Sequence, residues 1–196
     1  LEEKNLELLQ LLDQTIDLAN LKIQLFTNGS VIPEKWLPLL EKVGKFFLII
    51  SIDGIEKHAN YIRHGTDWKQ IKENINYWYN ISNVEVQFST VISIYNLFHL
   101  NELYKWQVNN YPNTRIMYVY LHEPTELNIN ILPNKYKNKA ITYLNIPEKE
   151  NIKSYLFNKQ FNGKEFNKFK RRTLQLEHIR KNSICSIDPT INEILN

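Results

Sequence analysis

The stretch FFLIISIDGIEKHANYIRHG, residues 46–65, decides how the rest of the chain is read. An apolar block from Phe46 to Ile50 runs into Ser51-Ile52-Asp53-Gly54 and continues through a polar turn to Arg63. A short run that is apolar on both faces is the mark of a parallel strand covered by helices on either side. Side chains alternate along a strand, so Ile49, Ser51 and Asp53 share one face and Ile50 and Ile52 the other. A hydroxyl and a carboxylate together at a strand end suit ribose hydroxyls or an ammonium group. The plainer alternative is a turn, since Asp-Gly is common loop punctuation and a serine can cap the helix that follows.

Outward from this block the apolar period alternates between helix and strand. Leu6, Leu9, Leu12 and Ile16 fall on one face of a helix. LKIQLFT (21–27) reads as a strand ending in the turn NGS, and PEKWLPLLEKVG (33–44) as a helix opened by Pro33 and closed by Gly44. DWKQIKENINYWYN (67–80) reads as a helix with Asp67 as N-cap and a buried stripe of Trp68, Ile71, Ile75 and Trp78. VEVQFSTVISI (84–94) is a third strand, LFHLNELYKWQ (97–107) a helix and RIMYVYL (115–121) a fourth strand. Strand starts at 21, 46, 84 and 115 lie 25, 38 and 31 residues apart, which fits right-handed β-α-β crossovers in a parallel sheet. From His122 the pattern changes: HEPTELNINILP is loop-like or irregular and extended. NKYKNKAITYL, EKENIKSYLFN and GKEFNKFKRRTLQLEHIRK then read as successive helices.

In parallel α/β proteins, function gathers at the carboxyl ends of the strands. Those ends carry Thr27-Asn28-Gly29-Ser30, Ser51-Ile52-Asp53-Gly54, Thr90 to Ser93 with Asn96, and His122-Glu123-Pro124. Four polar mouths on four successive strands make a coherent candidate site. His122 and Glu123 point to opposite faces as neighbours on a strand end, which argues against a catalytic pair.

The bulk composition sets limits. With 196 residues and 43% apolar content, the chain suits one sizeable globular domain, or one with a small appendage. No segment approaches the roughly eighteen uninterrupted apolar residues of a membrane span, and LEEKNLELLQ lacks a signal-peptide layout. A cytoplasmic location with no membrane partner is the expectation. The net charge of +3 is too mild to point to nucleic acid. Between Lys149 and Lys181, however, ten Lys or Arg stand against three Glu. That run reads as a solvated helical face or as a polyanion or partner contact. The single cysteine, Cys185, excludes an internal disulfide and a four-cysteine metal site; it reads as a nucleophile or one ligand of a cluster, or, as is more usual for a lone cysteine, as a small buried apolar residue. The five histidines show no metal-ligand spacing, and neither a phosphate-binding Gly-rich loop nor a nucleophile elbow is present.

The order of LFTNGS, IISIDG, YIRHGTDWKQIKENI and VQFSTVISIYN resembles that of radical S-adenosylmethionine (radical SAM) enzymes with a SPASM- or twitch-type C-terminal extension. In that family a T-N-G strand end is followed by an S-x-D-G strand end, an R-x-G segment and a helix carrying an N-I pair. The matching residues are Thr27-Asn28-Gly29, Ser51 to Gly54, Arg63-His64-Gly65 and Asn74-Ile75. The likeness covers roughly residues 15–125. ILPNKYKNKAITYL and TLQLEHIRKNSICSIDPTINEI are similar, less specifically, to the tail of twitch-type members.

The resemblance implies an α/β fold: a partial parallel (β/α) barrel of the radical SAM, TIM-like type over 1–125, and a mainly helical twitch-like extension over 126–196. The cluster-binding C-x-x-x-C-x-x-C loop and the G-G-E-P-like segment are not in this chain. The expectation is a carboxyl-terminal portion entering before the third barrel strand and inactive alone; the alternative is a degenerate, cluster-free homologue. In the complete family a reduced [4Fe–4S] cluster donates one electron to S-adenosylmethionine. Carbon–sulfur cleavage then yields a 5′-deoxyadenosyl radical that abstracts hydrogen from a small-molecule or peptide substrate. By motif position, Thr27, Asn28 and Ser51 are candidates for polar contacts with the cofactor. Arg63 is the candidate for its carboxylate, where a planar fork of donors suits. Asp53 would hold a ribose hydroxyl, a substrate amine or only its own turn, and Thr90, Ser93 and Asn96 would line the next strand end. No metal ligand is assigned in this chain, and a loaded twitch cluster is not expected. Two other readings stay open: a non-catalytic relative binding a peptide, nucleotide or partner, and a basic helical module over 149–181. A partial barrel also exposes a sheet edge, an invitation to self-association unless the first helix covers it.

Overall fold

A computed structural model describes residues 3–196. In chain order the elements are α1 (Glu3–Thr15), β1 (Lys22–Thr27), α2 (Leu37–Leu40), β2 (Lys45–Ser51), α3 (Glu56–Ile62), α4 (Trp68–Tyr79), β3 (Val84–Ile92), α5 (Leu100–Asn110) and β4 (Ile116–Tyr120). Helices α6 (Asn134–Tyr143), α7 (Lys149–Phe157), α8 (Gly163–Arg180) and α9 (Pro189–Leu195) follow, and short 3₁₀ turns join several of the elements. The strands form a four-stranded parallel sheet in the order β1-β2-β3-β4, with Lys22 opposite Lys45 and Thr27 opposite Ile50. Sequence order and sheet order coincide because each crossover returns the chain to the neighbouring position. Two compact units divide the chain. The first runs to Ser51 and includes Asp67–Phe88; the second comprises Ile52–Thr66 and Ser89–Asn196, so β3 contributes to both.

In the first unit, β2 buries Phe46, Leu48, Ile49 and Ile50, as a strand apolar on both faces must. Helix α4 begins at the expected cap, where the Asp67 carboxylate accepts from the Lys69 amide at 2.9 Å. Its stripe of Trp68, Ile71, Ile75 and Trp78 is buried, and Trp78 meets Phe46 edge-on at 5.8 Å. The segment 33–44 departs from the single helix that its termini predict. It is a 3₁₀ turn at Glu34–Trp36 followed by the four residues of α2. Pro38 lies in the first turn of α2, where it lacks the amide needed to continue a helix from Pro33. The carbonyls of Leu40 and Val43 accept from the Asn83 side chain at 2.8 and 2.7 Å, so a long-range partner takes the place of further helix. Gly44 closes no helix. A Cβ there would lie 2.0 Å from the Ala19 carbonyl oxygen, so close backbone approach is what requires glycine.

The second unit holds a core in which Ile92 and Ile94 meet Leu97, Leu100, Leu132 and Ala140, with Ile152, Leu156, Phe169 and Ile191 from the later helices. Residues 134–181 form the three helices expected. The polar turn read over 55–62 is instead helix α3, whose His58, Ala59 and Tyr61 are buried. Its seven residues are too few for an apolar period to register, and two of its three buried positions carry polar atoms. The loop after β4 winds into 3₁₀ turns at Thr125–Leu127 and Ile129–Ile131. Among the described residues no helix is long and apolar enough to cross a membrane.

Candidate functional site

The first unit contains Thr27, Asn28 and Ser51. Thr27 ends β1, and its hydroxyl accepts from the Gly29 amide at 3.2 Å. The Asn28 side chain accepts from the Ser30 amide and hydroxyl at 3.1 and 2.8 Å. Gly29 has φ +72°, and a Cβ on it would sit 2.9 Å from the Ile50 methyl Cγ2. The T-N-G motif is therefore a turn in which each residue type has a structural duty. The asparagine of the N-I pair belongs to it: buried Asn74 donates to the Gly29 carbonyl at 2.8 Å and accepts from Gln70 at 3.0 Å. Asn74→Ala leaves that carbonyl unpaired, and the unfolding free energy is expected to fall by about 1–3 kcal/mol. Urea titration followed by the fluorescence of Trp36, Trp68 and Trp78, buried in the same unit, reads the change. An unchanged midpoint would show that the bond contributes nothing. Ser51 closes β2 half-buried, and its hydroxyl has no hydrogen-bond partner among the described residues.

In the second unit the structure joins Asp53, Arg63, Thr90, Ser93 and Asn96 into one network. Oδ2 of Asp53 lies 2.8 Å from both Nε and an Nη of Arg63, and Oδ1 accepts from the Val91 amide at 2.8 Å. Thr90, fully buried, donates its hydroxyl to the Ile52 carbonyl at 2.6 Å. Asn96 donates to the carbonyls of Asp53 and Val91, both at 2.9 Å, and accepts from the Ser93 amide at 2.8 Å. The chain leaving β2 is thus bonded to the end of β3 through side chains. The arginine expected to hold a cofactor carboxylate is engaged with a carboxylate of its own chain.

A cavity of about 210 Å³ opens beside this network, lined by Asp53, Ser93, Tyr61, Tyr95, Arg172 and Arg180 among others. Sequence reasoning missed the last four. The tyrosines look like core aromatics, and the arginines sit inside a basic run that a solvated helix explains. In that run Arg172 and Lys168 clamp Glu126, which is 2% exposed: Arg172 donates to Oε1 at 2.7 Å, while Lys168 lies 2.9 Å from Oε2 as an ion pair without hydrogen-bond alignment. Burial opposes ionisation of Glu126, but Lys168 and Arg172 prevail and bring its carboxyl down to about 2.

A larger cleft of about 1020 Å³ lies elsewhere in the unit and contains none of the residues expected from sequence. In its wall the rings of His58 and His99 stack at 3.6 Å between centroids. His58 Nε2 lies 3.6 Å from Asp188 Oδ2, beyond hydrogen-bond reach. His99 Nε2 accepts from the Ile55 amide at 3.4 Å, and its Nδ1 lies 3.9 Å from Glu102, which also takes the Tyr143 hydroxyl. Burial first, then the neighbouring His58, pushes His99 down to about 3, so the ring is neutral. Face-to-face rings cannot both direct an in-plane lone pair at one ion. Among the described residues no group of three or more His, Cys, Asp or Glu is placed to hold a metal. Burial pushes the thiol of half-buried Cys185 up, away from the thiolate that a ligand or nucleophile needs. His122 and Glu123 engage different partners, Tyr155 and Thr125.

No protein-family model and no curated protein matches the chain. Among solved structures it is similar to native anSMEcpe with bound AdoMet and Cp18Cys peptide, at 19% identity and a TM-score of 0.50, over 93% of this chain and 45% of that one. It is also similar to native anSMEcpe with bound AdoMet and Kp18Cys peptide, at 19% identity and a TM-score of 0.49, with the same coverage. The chain therefore spans less than half the length of the proteins it resembles. At this identity the likeness establishes shared fold: the α/β arrangement of this chain is that of part of anSMEcpe.

Proposed function

We propose that this chain is the carboxyl-terminal portion of a radical SAM enzyme, its strands part of a (β/α) barrel and its later helices a twitch-like extension. What carries the reading is the coincidence of motif and place. Thr27-Asn28-Gly29 turns off β1 and Ser51 to Gly54 turns off β2, in a fold shared over 93% of the chain with an AdoMet-bound protein. With one electron from a cluster held outside this chain, bound AdoMet would supply radical abstraction of hydrogen from a small-molecule or peptide substrate. The chain's own residues fit the cofactor in kind. Ser51 offers an unpartnered hydroxyl, Arg63 has N–H groups beyond those facing Asp53, and Thr27 and Asn28 shape the turn that carries their backbone. Thr90 and Ser93 position the strand ends. The residues do not fit a [4Fe–4S] cluster: there is one cysteine, and no ligand group among the described residues.

The test is the protein translated from the complete reading frame that contains this chain. That frame is expected to encode a C-x-x-x-C-x-x-C loop upstream of Leu1, and its product to bind AdoMet by calorimetry. Ser51→Ala and Arg63→Met are each expected to weaken binding about tenfold. An in-frame stop directly before Leu1, with no such loop encoded, overturns the enzyme reading; so does a full-length product that does not bind AdoMet.

A further inference from the structure

From the cavity lined by Tyr61, Tyr95, Arg172 and Arg180, we infer that the second unit carries a binding site for a single carboxylate on a short apolar stem. Three observations converge on it. Tyr61 is 1% exposed, lines the cavity, and its hydroxyl has no hydrogen-bond partner. A buried phenol normally has one, so an unpaired donor beside a cavity points to a ligand atom. Arg180 is the second. Its Nη1 donates to the Tyr61 carbonyl at 3.1 Å, and no carboxylate lies within ion-pair distance of it among the described residues. The third is α8 itself, which places Arg172, Leu176 and Arg180 at four-residue intervals along the same wall.

The surrounding charges select the ligand class. Asp53 is matched by Arg63, and Glu126 lies between Lys168 and Arg172, which leaves one positive charge there. Arg180 adds another, while Glu177, near enough to help hold the Tyr61 phenol in its protonated form, offsets one. The excess is a single positive charge, suited to a monoanion rather than a phosphate dianion. A guanidinium fork with a neighbouring phenol matches the two oxygens of a carboxylate. Ile62, Val91, Leu121 and Leu127 line the remainder, and about 210 Å³ admits a few carbon atoms beside the carboxylate. The basic run of α8 is thereby more than a solvated face: two of its arginines reach the mouth of the sheet's strands in this unit. The inference deepens the proposed function and, for the identity of the carboxylate, rests on it. Either the carboxylate belongs to a substrate, such as a peptide terminus, or it is that of AdoMet itself.

The experiment titrates the full chain with N-acetylalanine, with its uncharged amide, and with AdoMet, following ligand and protein signals by NMR. N-Acetylalanine is expected to bind at least about tenfold more tightly than the amide, as a charge-assisted contact requires. Arg180→Met, which keeps stem length, is expected to reduce acid binding about tenfold. Tyr61→Phe is expected to reduce it severalfold while leaving the fold intact, since the hydroxyl it removes bonds nothing. That second variant keeps the test valid if Arg180→Met unfolds. If AdoMet competes with N-acetylalanine and both variants weaken the two together, the site stands and the carboxylate is the cofactor's. If N-acetylalanine binds without such competition, the site stands as a substrate site. Equal binding of acid and amide, or acid binding untouched by Tyr61→Phe, overturns the inference whether or not AdoMet binds. Loss of AdoMet binding alone bears only on the proposed function.

Discussion

Arg63→Met is expected to destabilise the protein by about 3 kcal/mol, the usual cost of stripping the partner from a buried charge. Asp53 is 8% exposed, and with the guanidinium gone its carboxylate keeps only the Val91 amide. Arg63→Lys is expected to recover part of the loss, because one ammonium cannot present two fixed N–H groups to the same oxygen. Asp53→Asn in the Arg63→Met background removes the stranded charge, so the double variant should be more stable than the sum of the singles by about 1–3 kcal/mol. Urea titrations followed by circular dichroism, with the slope unchanged, provide the cycle. A cost below about 0.5 kcal/mol for Arg63→Met would mean that solvent already screens the pair. The same cycle bears on function. A strong coupling makes Asp53 the residue that orients Arg63, so under the function proposed above any loss of AdoMet binding in Asp53→Asn would follow from a misplaced guanidinium.

Acidification from pH 7 to 4.5 is expected to remove roughly 2–3 kcal/mol of stability through His99 alone. The ring has its ordinary value of 6.5 in the unfolded chain and is held near 3 in the fold, chiefly by burial and next by His58, with Asp188 opposing. Between those values the unfolded chain takes up a proton that the folded chain refuses. Stability is therefore complete above 6.5 and is lost as pH falls toward 3. Glu126 acts in the same direction only below its ordinary 4.5, since its folded value is about 2, which leaves the window from 6.5 to 4.5 to His99. His99→Gln keeps an acceptor for the Ile55 amide and cannot be protonated; its stability should be nearly flat across that window. A variant that follows the parent curve would assign the acid sensitivity to another group.

The strand and helix order was legible wherever apolar residues repeated over several turns. The stripe of α4 and the two-faced burial of β2 follow directly from Trp68, Ile71, Ile75, Trp78 and the block 46–50. Segment 33–44 and helix α3 were not legible, for opposite reasons. The first has helix termini but a proline inside them, and its carbonyls are claimed by Asn83. The second has no side-chain cap, and part of its buried face is His58 and Tyr61. At the candidate site, the residue types were readable but their partners were not. Nothing in the spacing of Asp53 and Arg63 says that they pair with each other, or that Asn74 closes a turn 45 positions away.

By itself the sequence determined the α/β alternation, the parallel sheet and the polar residues at the strand ends, because periodicity is a local property imposed by backbone geometry on neighbouring side chains. Only the tertiary structure decided that Asp53, Arg63, Thr90, Ser93 and Asn96 form one bonded network, that His58 stacks on His99, and that Arg172 and Arg180 turn from a basic run into a cavity. Those contacts link residues far apart in the chain. Their geometry is set by how whole elements pack, and a linear pattern of residue types carries no record of it.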